Sequence, residues 1–286
     1  MESSPNLSPT GLALVKPPGA DARGSALSAG HSLRRRVRYG PVELDPVTLD
    51  GALEVIERLV ASRQGGAVFT ANIDHVVKAA RQADFREAYG RADLVLCDGQ
   101  PLVWLSPLVG QRVPEKVSGS DLLLPLLKRA AARGFRVFLL GGAPGVVTAG
   151  AERLRSELGV DVVGWDDSVI GLTASADDDR IADRIREARP DLVLAFLGAP
   201  KSELFSDRVR DRIRPAVVVN LGASLDFYLG RVRRAPRWMQ RAGVEWLYRL
   251  LQEPRRLARR YLVDDVQFLP LLWRTIWEER SARRRR

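Results

Sequence analysis

The sequence predicts an α/β protein built on one open parallel sheet of about six strands, with helices on both faces. Three observations carry that expectation. Short apolar runs alternate with stretches of helical period from residue 42 to residue 230. Several runs, such as Leu192-Val193-Leu194-Ala195-Phe196-Leu197, are apolar at every position, as strands buried on both faces must be. Five of the six runs end in a small or polar loop, and open parallel sheets bind ligands at the carboxyl ends of their strands.

The elements follow in order. Residues 1–38 are rich in Ser, Pro, Gly and Ala, have no period, and end in Arg34, Arg35, Arg36 and Arg38, so a disordered leader is expected. The body, residues 39–230, holds strand-like runs at Ala67–Ile73, Leu94–Cys97, Val137–Leu140, Val160–Val163, Leu192–Leu197 and Val217–Leu221. Helical spacing marks Leu122–Arg133, Val146–Leu158 and Ile181–Ala188 between them. After Gly230 the strand signals stop. Residues 231–286 read as a helical appendage punctuated by Pro236, Pro254 and Pro270, with helices expected at Gly243–Gln252 and Arg255–Phe268.

With 286 residues, 45% hydrophobic and 28% charged, the chain is globular in composition and disorder throughout is excluded. No apolar stretch approaches the roughly 18 residues of a membrane span. Near the start stand Glu2 and only a four-residue apolar patch, Leu12–Val15, so no secretory signal is read and a cytoplasmic location is expected. The single Cys97 excludes an internal disulfide, and His31 and His75 leave few soft ligands, so neither a metal nor another cofactor is expected. Asp166-Asp167 and Asp177-Asp178-Asp179 read as solvated loops or helix caps.

Charge is unevenly placed. Residues 1–230 hold 29 Lys plus Arg against 29 Asp plus Glu, whereas the last 56 residues hold 16 Arg, no Lys and 6 acids, which is the whole net charge of +10. A basic appendage calls for an anionic partner. Leu269, Leu271, Leu272, Trp273, Ile276 and Trp277 stand beside Arg274, Arg280 and Arg283–Arg286, the makeup of a helix lying on an anionic membrane surface.

The strand ends supply the candidate chemistry. Asp98, after a buried strand and before Gly99, is placed either as a general base with a raised pKa or as the acceptor of an Asx turn or helix cap. Gly141-Gly142-Ala143-Pro144-Gly145, ahead of a helix, is either an anion cradle of bare amides or a tight turn that needs positive φ. Cys97 reads as buried filler rather than a nucleophile.

The ordered series Thr70-Ala71-Asn72, Asp98-Gly99-Gln100-Pro101, Ser118-Gly119-Ser120-Asp121, Gly141–Gly145, Gly198-Ala199-Pro200-Lys201-Ser202-Glu203, Gly222-Ala223-Ser224-Leu225-Asp226 and Arg234-Ala235-Pro236-Arg237-Trp238 resembles the WecG/TagA/CpsF family of glycosyltransferases. The resemblance runs from about residue 42 to about residue 268. It implies a Rossmann-like body and inverting, metal-independent transfer from a UDP-sugar to a polyprenyl-diphosphate-linked saccharide, in cell-surface polymer synthesis. It implies that Asp98 is the base and that Thr70 and Asn72 line the same pocket. Donor contacts are then expected from Gly141, Gly142, Gly145, Lys201, Glu203 and Asp226, with Arg234, Arg237 and Arg241 closing over the diphosphate. Two positions depart from the family pattern: Ser202 stands where Gln is common, and Pro107 where Arg is common. They mark a different sugar, a different acceptor or reduced activity.

Two other classes of protein share some of these features. A nucleic-acid binder would use the Arg-rich tail with its aromatic residues, but would not need polar loops at strand ends, so nucleic acid is not expected as a partner. A nucleotide-dependent oxidoreductase would need the full Gly-x-Gly-x-x-Gly fingerprint, which is missing. Apolar surface left on the body could also be covered in a homo-oligomer.

Overall fold

The structure is a computed structural model that describes residues 36–252 and 254–285, apart from the side chains of Arg237, Arg241, Arg256 and Leu262. Most of the expected leader lies outside the described residues. Its boundary at residue 38 falls inside structure, however, because β1 (Val37–Tyr39) pairs antiparallel with β2 (Val42–Leu44). Val37, Tyr39, Val42 and Leu44 all turn into the core. Arg36 and Arg38, read from sequence as the end of a cationic run, are the outward residues of this hairpin. Arg36 Nε meets Asp45 Oδ1 at 2.7 Å and Arg38 Nη2 meets Glu278 Oε2 at 2.5 Å.

The chain continues through α1 (Leu49–Ser62), β3 (Gly66–Ala71), α2 (Ile73–Arg81), α3 (Ala83–Arg91), β4 (Leu94–Cys97) and α4 (Gln100–Leu105). Next come α5 (Gly119–Arg133), β5 (Arg136–Gly141), α6 (Val146–Leu158), β6 (Asp161–Asp166), α7 (Ala176–Ala188) and β7 (Leu192–Phe196). α8 (Lys201–Val209), β8 (Val217–Asn220) and α9 (Ser224–Tyr228) complete the body. The main sheet is six-stranded, in the order β4-β3-β8-β7-β5-β6, and every neighbouring pair is parallel. The expected Rossmann-like α/β architecture is therefore the observed one.

Successive strand residues feed opposite cores, which explains why the runs are apolar throughout. Val68, Leu139, Leu194 and Val219 pack with Leu53, Leu122, Val147 and Leu225 from α1, α5, α6 and α9. Phe69, Leu140, Val193 and Val218 pack on the other side with Val76, Phe85, Ile181 and Phe205 from α2, α3, α7 and α8. From β3 the chain passes to the edge strand β4 and then crosses to β5 beyond β8 and β7. This reversal leaves the crevice for a ligand at the carboxyl ends of the strands.

The appendage forms α10 (Arg237–Arg241), α11 (Glu245–Gln252), α12 (Pro254–Arg259), a π-helical turn at Arg260–Asp264, a 3-10 turn at Asp265–Gln267 and α13 (Phe268–Arg284). The helix expected at Arg255–Phe268 is thus split. Pro270, read as a break, instead sits in the first turn of α13, where the missing N–H would have had no intrahelical partner. α13 also corrects the expectation that its apolar residues together face a membrane. Phe268, Leu272 and Ile276 are buried in the core beside Val37 and Tyr39, and Thr275 Oγ1 accepts from the Gly40 amide at 2.9 Å. Leu272 and Ile276 are therefore core residues rather than membrane contacts, whereas Trp273 is 71% exposed and Trp277 65%. Among the described residues, no helix is long and apolar enough to cross a membrane.

Candidate active site

β3 and β4 bring Thr70, Asn72 and Asp98 together. The Asp98 amide donates to the Ala71 carbonyl at 2.8 Å, which extends the ladder one residue past β4 and fixes Asp98 beside the end of β3. Gly99, the N-cap of α4, then turns the chain so closely past Asn72 that a Cβ on it would lie 3.6 Å from the Asn72 Cβ. The Asp98 carboxylate is half-buried and makes no hydrogen bond to a described residue, so it serves neither as a cap nor as an Asx-turn acceptor. Burial pushes it up to about 6; Lys116 and Arg249 pull the other way, while Asp121 and Glu245 add to the rise.

Thr70 is buried on β3, and its carbonyl accepts from His75 Nδ1 at 2.7 Å and from the Tyr89 hydroxyl at 3.2 Å. Burial takes His75 down to about 4, so it stays neutral and holds this strand end in place. Asn72 caps α2 by accepting from the His75 amide at 3.4 Å, and it also accepts from Arg260 Nη2 at 3.2 Å. Arg260 lies 3.4 Å from Asp74 Oδ2, which Lys78 Nζ approaches at 2.5 Å. Burial alone would raise Asp74, but Arg260, His75 and Lys78 outweigh it and hold the carboxylate below its usual range.

The segment after Gly230 comes close enough to Asp98 for Arg249 and Glu245 to act on its carboxylate. Arg234 reaches Asp121 Oδ1 at 2.6 Å and Glu245 Oε1 at 3.1 Å, and Lys116 bonds the other oxygen of Asp121. Asp121 closes a capping box with Ser118 at the start of α5. Burial opposes its ionisation, but Lys116, Ser118 and Arg234 together bring it down to about 2. Arg249 stands 5.8 Å from the centre of the Phe227 ring. Gly243, at φ +68°, presses on α4 so closely that a Cβ there would be 2.5 Å from Trp104. Of the three appendage arginines singled out from sequence, Arg234 is at this rim, and the side chains of Arg237 and Arg241 lie outside the described residues.

The glycine loop reads mainly as a turn. Gly141 and Gly142 have φ of +84° and +81°, and a Cβ on Gly141 would come within 2.4 Å of Leu197. The Gly142 amide is taken by the Phe196 carbonyl at 2.9 Å, and that of Gly145 by Asp167 Oδ2 at 3.3 Å. A carboxylate thus already stands at the N-terminus of α6, where an anion is favoured. Lys201 is exposed and forms no pair with Glu203; Glu203 is buried, and burial pushes it up to about 7 against the pull of Lys78. Asp226 is half-buried on α9 and raised by burial, with Arg231 opposing. The acidic runs bind arginines: Asp166 pairs with Arg184 at 2.6 Å and Asp178 with Arg208 at 2.7 Å.

Sequence reasoning missed Lys116, Arg249 and Arg260. Lys116 carried a usable signal, since it stands two residues before the Ser118-x-x-Asp121 capping box. Arg249 and Arg260 were lost among the 16 arginines of the tail.

A doubly covered parallel sheet, with a raised carboxylate at a strand end and cations around it, has the makeup of an active-site cleft. The sequence model of the glycosyl transferase WecG/TagA/CpsF family matches residues 37–282, and the chain belongs to that family, as its motifs had indicated. It is 34% identical over 197 residues to an N-acetylglucosaminyldiphosphoundecaprenol N-acetyl-beta-D-mannosaminyltransferase of Bacillus spizizenii, covering 68% of this chain and 75% of that one. A protein of the same description from Bacillus subtilis is 30% identical over 213 residues, covering 74% of this chain and 81% of that one.

Proposed function

We propose that the protein transfers a sugar from a UDP-sugar to a polyprenyl-diphosphate-linked saccharide, with inversion at the anomeric carbon and Asp98 as general base. The observation that carries this reading is the Asp98 carboxylate itself, half-buried at the end of β4, without a hydrogen bond to a described residue, and raised to about 6. A base of that pKa is mostly ionised at neutral pH yet basic enough to accept a proton in the transition state. As an acceptor hydroxyl oxygen attacks the anomeric carbon, its proton passes to Asp98 and the bond to the diphosphate oxygen breaks. The leaving diphosphate then needs its charge balanced. Lys116, Arg234, Arg249 and Arg260 support a reading in which side-chain cations do this without a metal ion.

In this reading Thr70 and Asn72 shape the wall beside Asp98, and Asp226 faces the nucleoside. Gly141, Gly142 and Gly145 form the floor near the diphosphate, with Asp167 giving way to a phosphate. Lys201, at the exposed start of α8, meets the donor from solvent. The relatives' names support a lipid-diphosphate GlcNAc acceptor. Exposed Leu269, Trp273 and Trp277, one turn apart on α13, support docking on an anionic membrane, at the inner face of the cell membrane.

The test is UDP release from a panel of UDP-sugars in EDTA, with and without undecaprenyl-diphosphate-GlcNAc. Release that depends on both one donor and the acceptor is expected. Release that requires an added divalent ion would overturn the metal-free step, and no release with any donor would overturn the proposed reaction.

A further inference from the structure

At the amino ends of the strands, opposite the candidate active site, the chain gathers a second set of cations. Arg63, Arg189 and Arg214 each stand three residues before the first residue of a strand, of β3, β7 and β8 respectively. These strands are neighbours in the order β3-β8-β7, and their first residues are in register, Gly66 with Val217 and Val217 with Leu192. The equal spacing therefore sets the three arginines together at one end of the sheet. Arg186, in the last turn of α7, joins them, and the four line a cavity of about 230 Å³. The rest of its lining, Pro190, Ile213 and Pro215, is apolar, and no described carboxylate lines it.

Two observations separate this cluster from ordinary surface arginines. Among the described residues, Arg63 and Arg189 are the only ones other than glycine at positive φ, +57° and +47°. Each is the left-handed C-cap of its helix, α1 and α7, a place that Gly134 and Gly159 fill after α5 and α6. A Cβ disfavours that conformation, so an arginine there bears a strain that glycine would not. The second observation is that these side chains do not serve the helix ends. A cation is favoured beside the last carbonyls of a helix, yet none of the four guanidinium groups donates to a carbonyl of the described residues, and the Ala188 carbonyl that ends α7 is taken by Arg136 Nη2 at 2.9 Å. Arg63 meets Asp191 at 2.8 Å, Arg186 meets Asp183 at 3.1 Å and Arg214 meets Asp211 at 2.7 Å, while Arg189 has no ion pair among the described residues. The pairs of Arg186 and Arg214 are exposed and hold their side chains weakly, so both can turn to a stronger acceptor.

We propose that this cavity binds a small phosphate-bearing anion. A guanidinium group meets phosphate oxygens two at a time, and four of them around one cavity call for a ligand with more than one negative charge. The volume lies below the roughly 300–1,000 Å³ of pockets that enclose a drug-sized molecule, so it suits inorganic phosphate, diphosphate or the phosphate end of a nucleotide rather than a whole nucleotide. β3 runs from this end of the sheet to the candidate active site through the six residues Gly66–Ala71, about 20 Å at 3.3 Å per residue. An anion held here touches neither Asp98 nor the place of a sugar donor, and the proposal stands apart from the transfer reaction.

The test is calorimetric binding of inorganic phosphate, inorganic diphosphate and ATP, at fixed ionic strength, to the wild type and to Arg189→Gly, Arg214→Gln and Arg234→Ala. The wild type should bind diphosphate more tightly than phosphate. Arg189→Gly and Arg214→Gln should each weaken diphosphate binding about tenfold, the loss of one charge-assisted contact, whereas Arg234→Ala, at the other end of the sheet, should leave it unchanged. Glycine adopts the left-handed cap without strain, so Arg189→Gly should melt no lower than the wild type, and its lost affinity is then not lost structure. ATP binding more tightly than diphosphate would support a nucleotide as the source of the phosphates, and the reverse order would support the free anion. The proposal is overturned if the wild type binds neither phosphate nor diphosphate, if both arginine variants bind like the wild type, or if the loss falls on Arg234→Ala instead.

Discussion

Replacing Asp98 with asparagine should remove activity and, at the same time, stabilise the fold. The carboxyl is raised from 3.8 to about 6, mainly by burial, so the folded state disfavours the charge it carries at neutral pH. Each pKa unit corresponds to about 1.36 kcal/mol, which puts the upper bound of the penalty near 3 kcal/mol; solvent screening at a half-open carboxyl reduces it to about 1–3 kcal/mol. The sign follows from linkage. A carboxylate with a raised folded pKa destabilises the protein fully above that pKa, and the penalty fades as pH falls through 6 toward the unfolded value near 4. Thermal melting of Asp98→Asn at pH 8 should therefore lie several degrees above the wild type, taking roughly 2–4 °C per kcal/mol for a fold of this size. By pH 4 most of that gap should be gone. Acceptor-dependent transfer should drop by about 100-fold to 10,000-fold, the usual contribution of a general base, with UDP binding unchanged. A variant that melts lower at pH 8 would refute the electrostatic reasoning, and one that turns over normally would refute the catalytic role.

The remaining predictions concern the appendage. Leu272→Ala should cost about 2–5 kcal/mol in urea unfolding because Leu272 is buried in the core, whereas Trp273→Ala should stay within about 0.5 kcal/mol and instead weaken sedimentation with anionic vesicles. Arg260→Ala leaves Lys78 as the remaining ion-pair partner of the buried Asp74 and should cost about 1–3 kcal/mol by the same assay, with slower transfer because Asn72 loses one of its two donors. Truncation after residue 230 should yield an unstable chain, since it strips Phe268, Leu272 and Ile276 from beside Val37 and Tyr39; a truncated form melting like the full chain would contradict the packing of α13.

What the sequence could reveal depended on the range of the physics involved. Strands buried on both faces announce themselves locally, so the runs at Leu94–Cys97 and Val217–Leu221 lie within a residue of β4 and β8. Val146–Leu158 is recovered with its ends, because glycines at positive φ bracket α6. The hairpin of β1 and β2 was hidden by its three-residue strands and by arginines whose partners lie outside it, Asp45 just beyond β2 and Glu278 far along the chain. On α13, the apolar residues were legible but their destination was not, since burial and membrane contact demand the same side chains; only the packing separates Leu272 from Trp273. At the site, Asp98 was marked by its position after a buried strand. Arg249 and Arg260 act on it or on Asn72 through contacts across the fold, which no local pattern specifies, whereas Lys116 stood beside a readable capping box.

The most direct test of the account is the pH dependence of kcat/KM for acceptor-dependent UDP release. The account predicts a plateau above about pH 6.5 and a tenfold fall per pH unit below about pH 6, where Asp98 becomes protonated. A rate that stays level down to pH 5, in protein that remains folded, would contradict the assignment of Asp98 as the base.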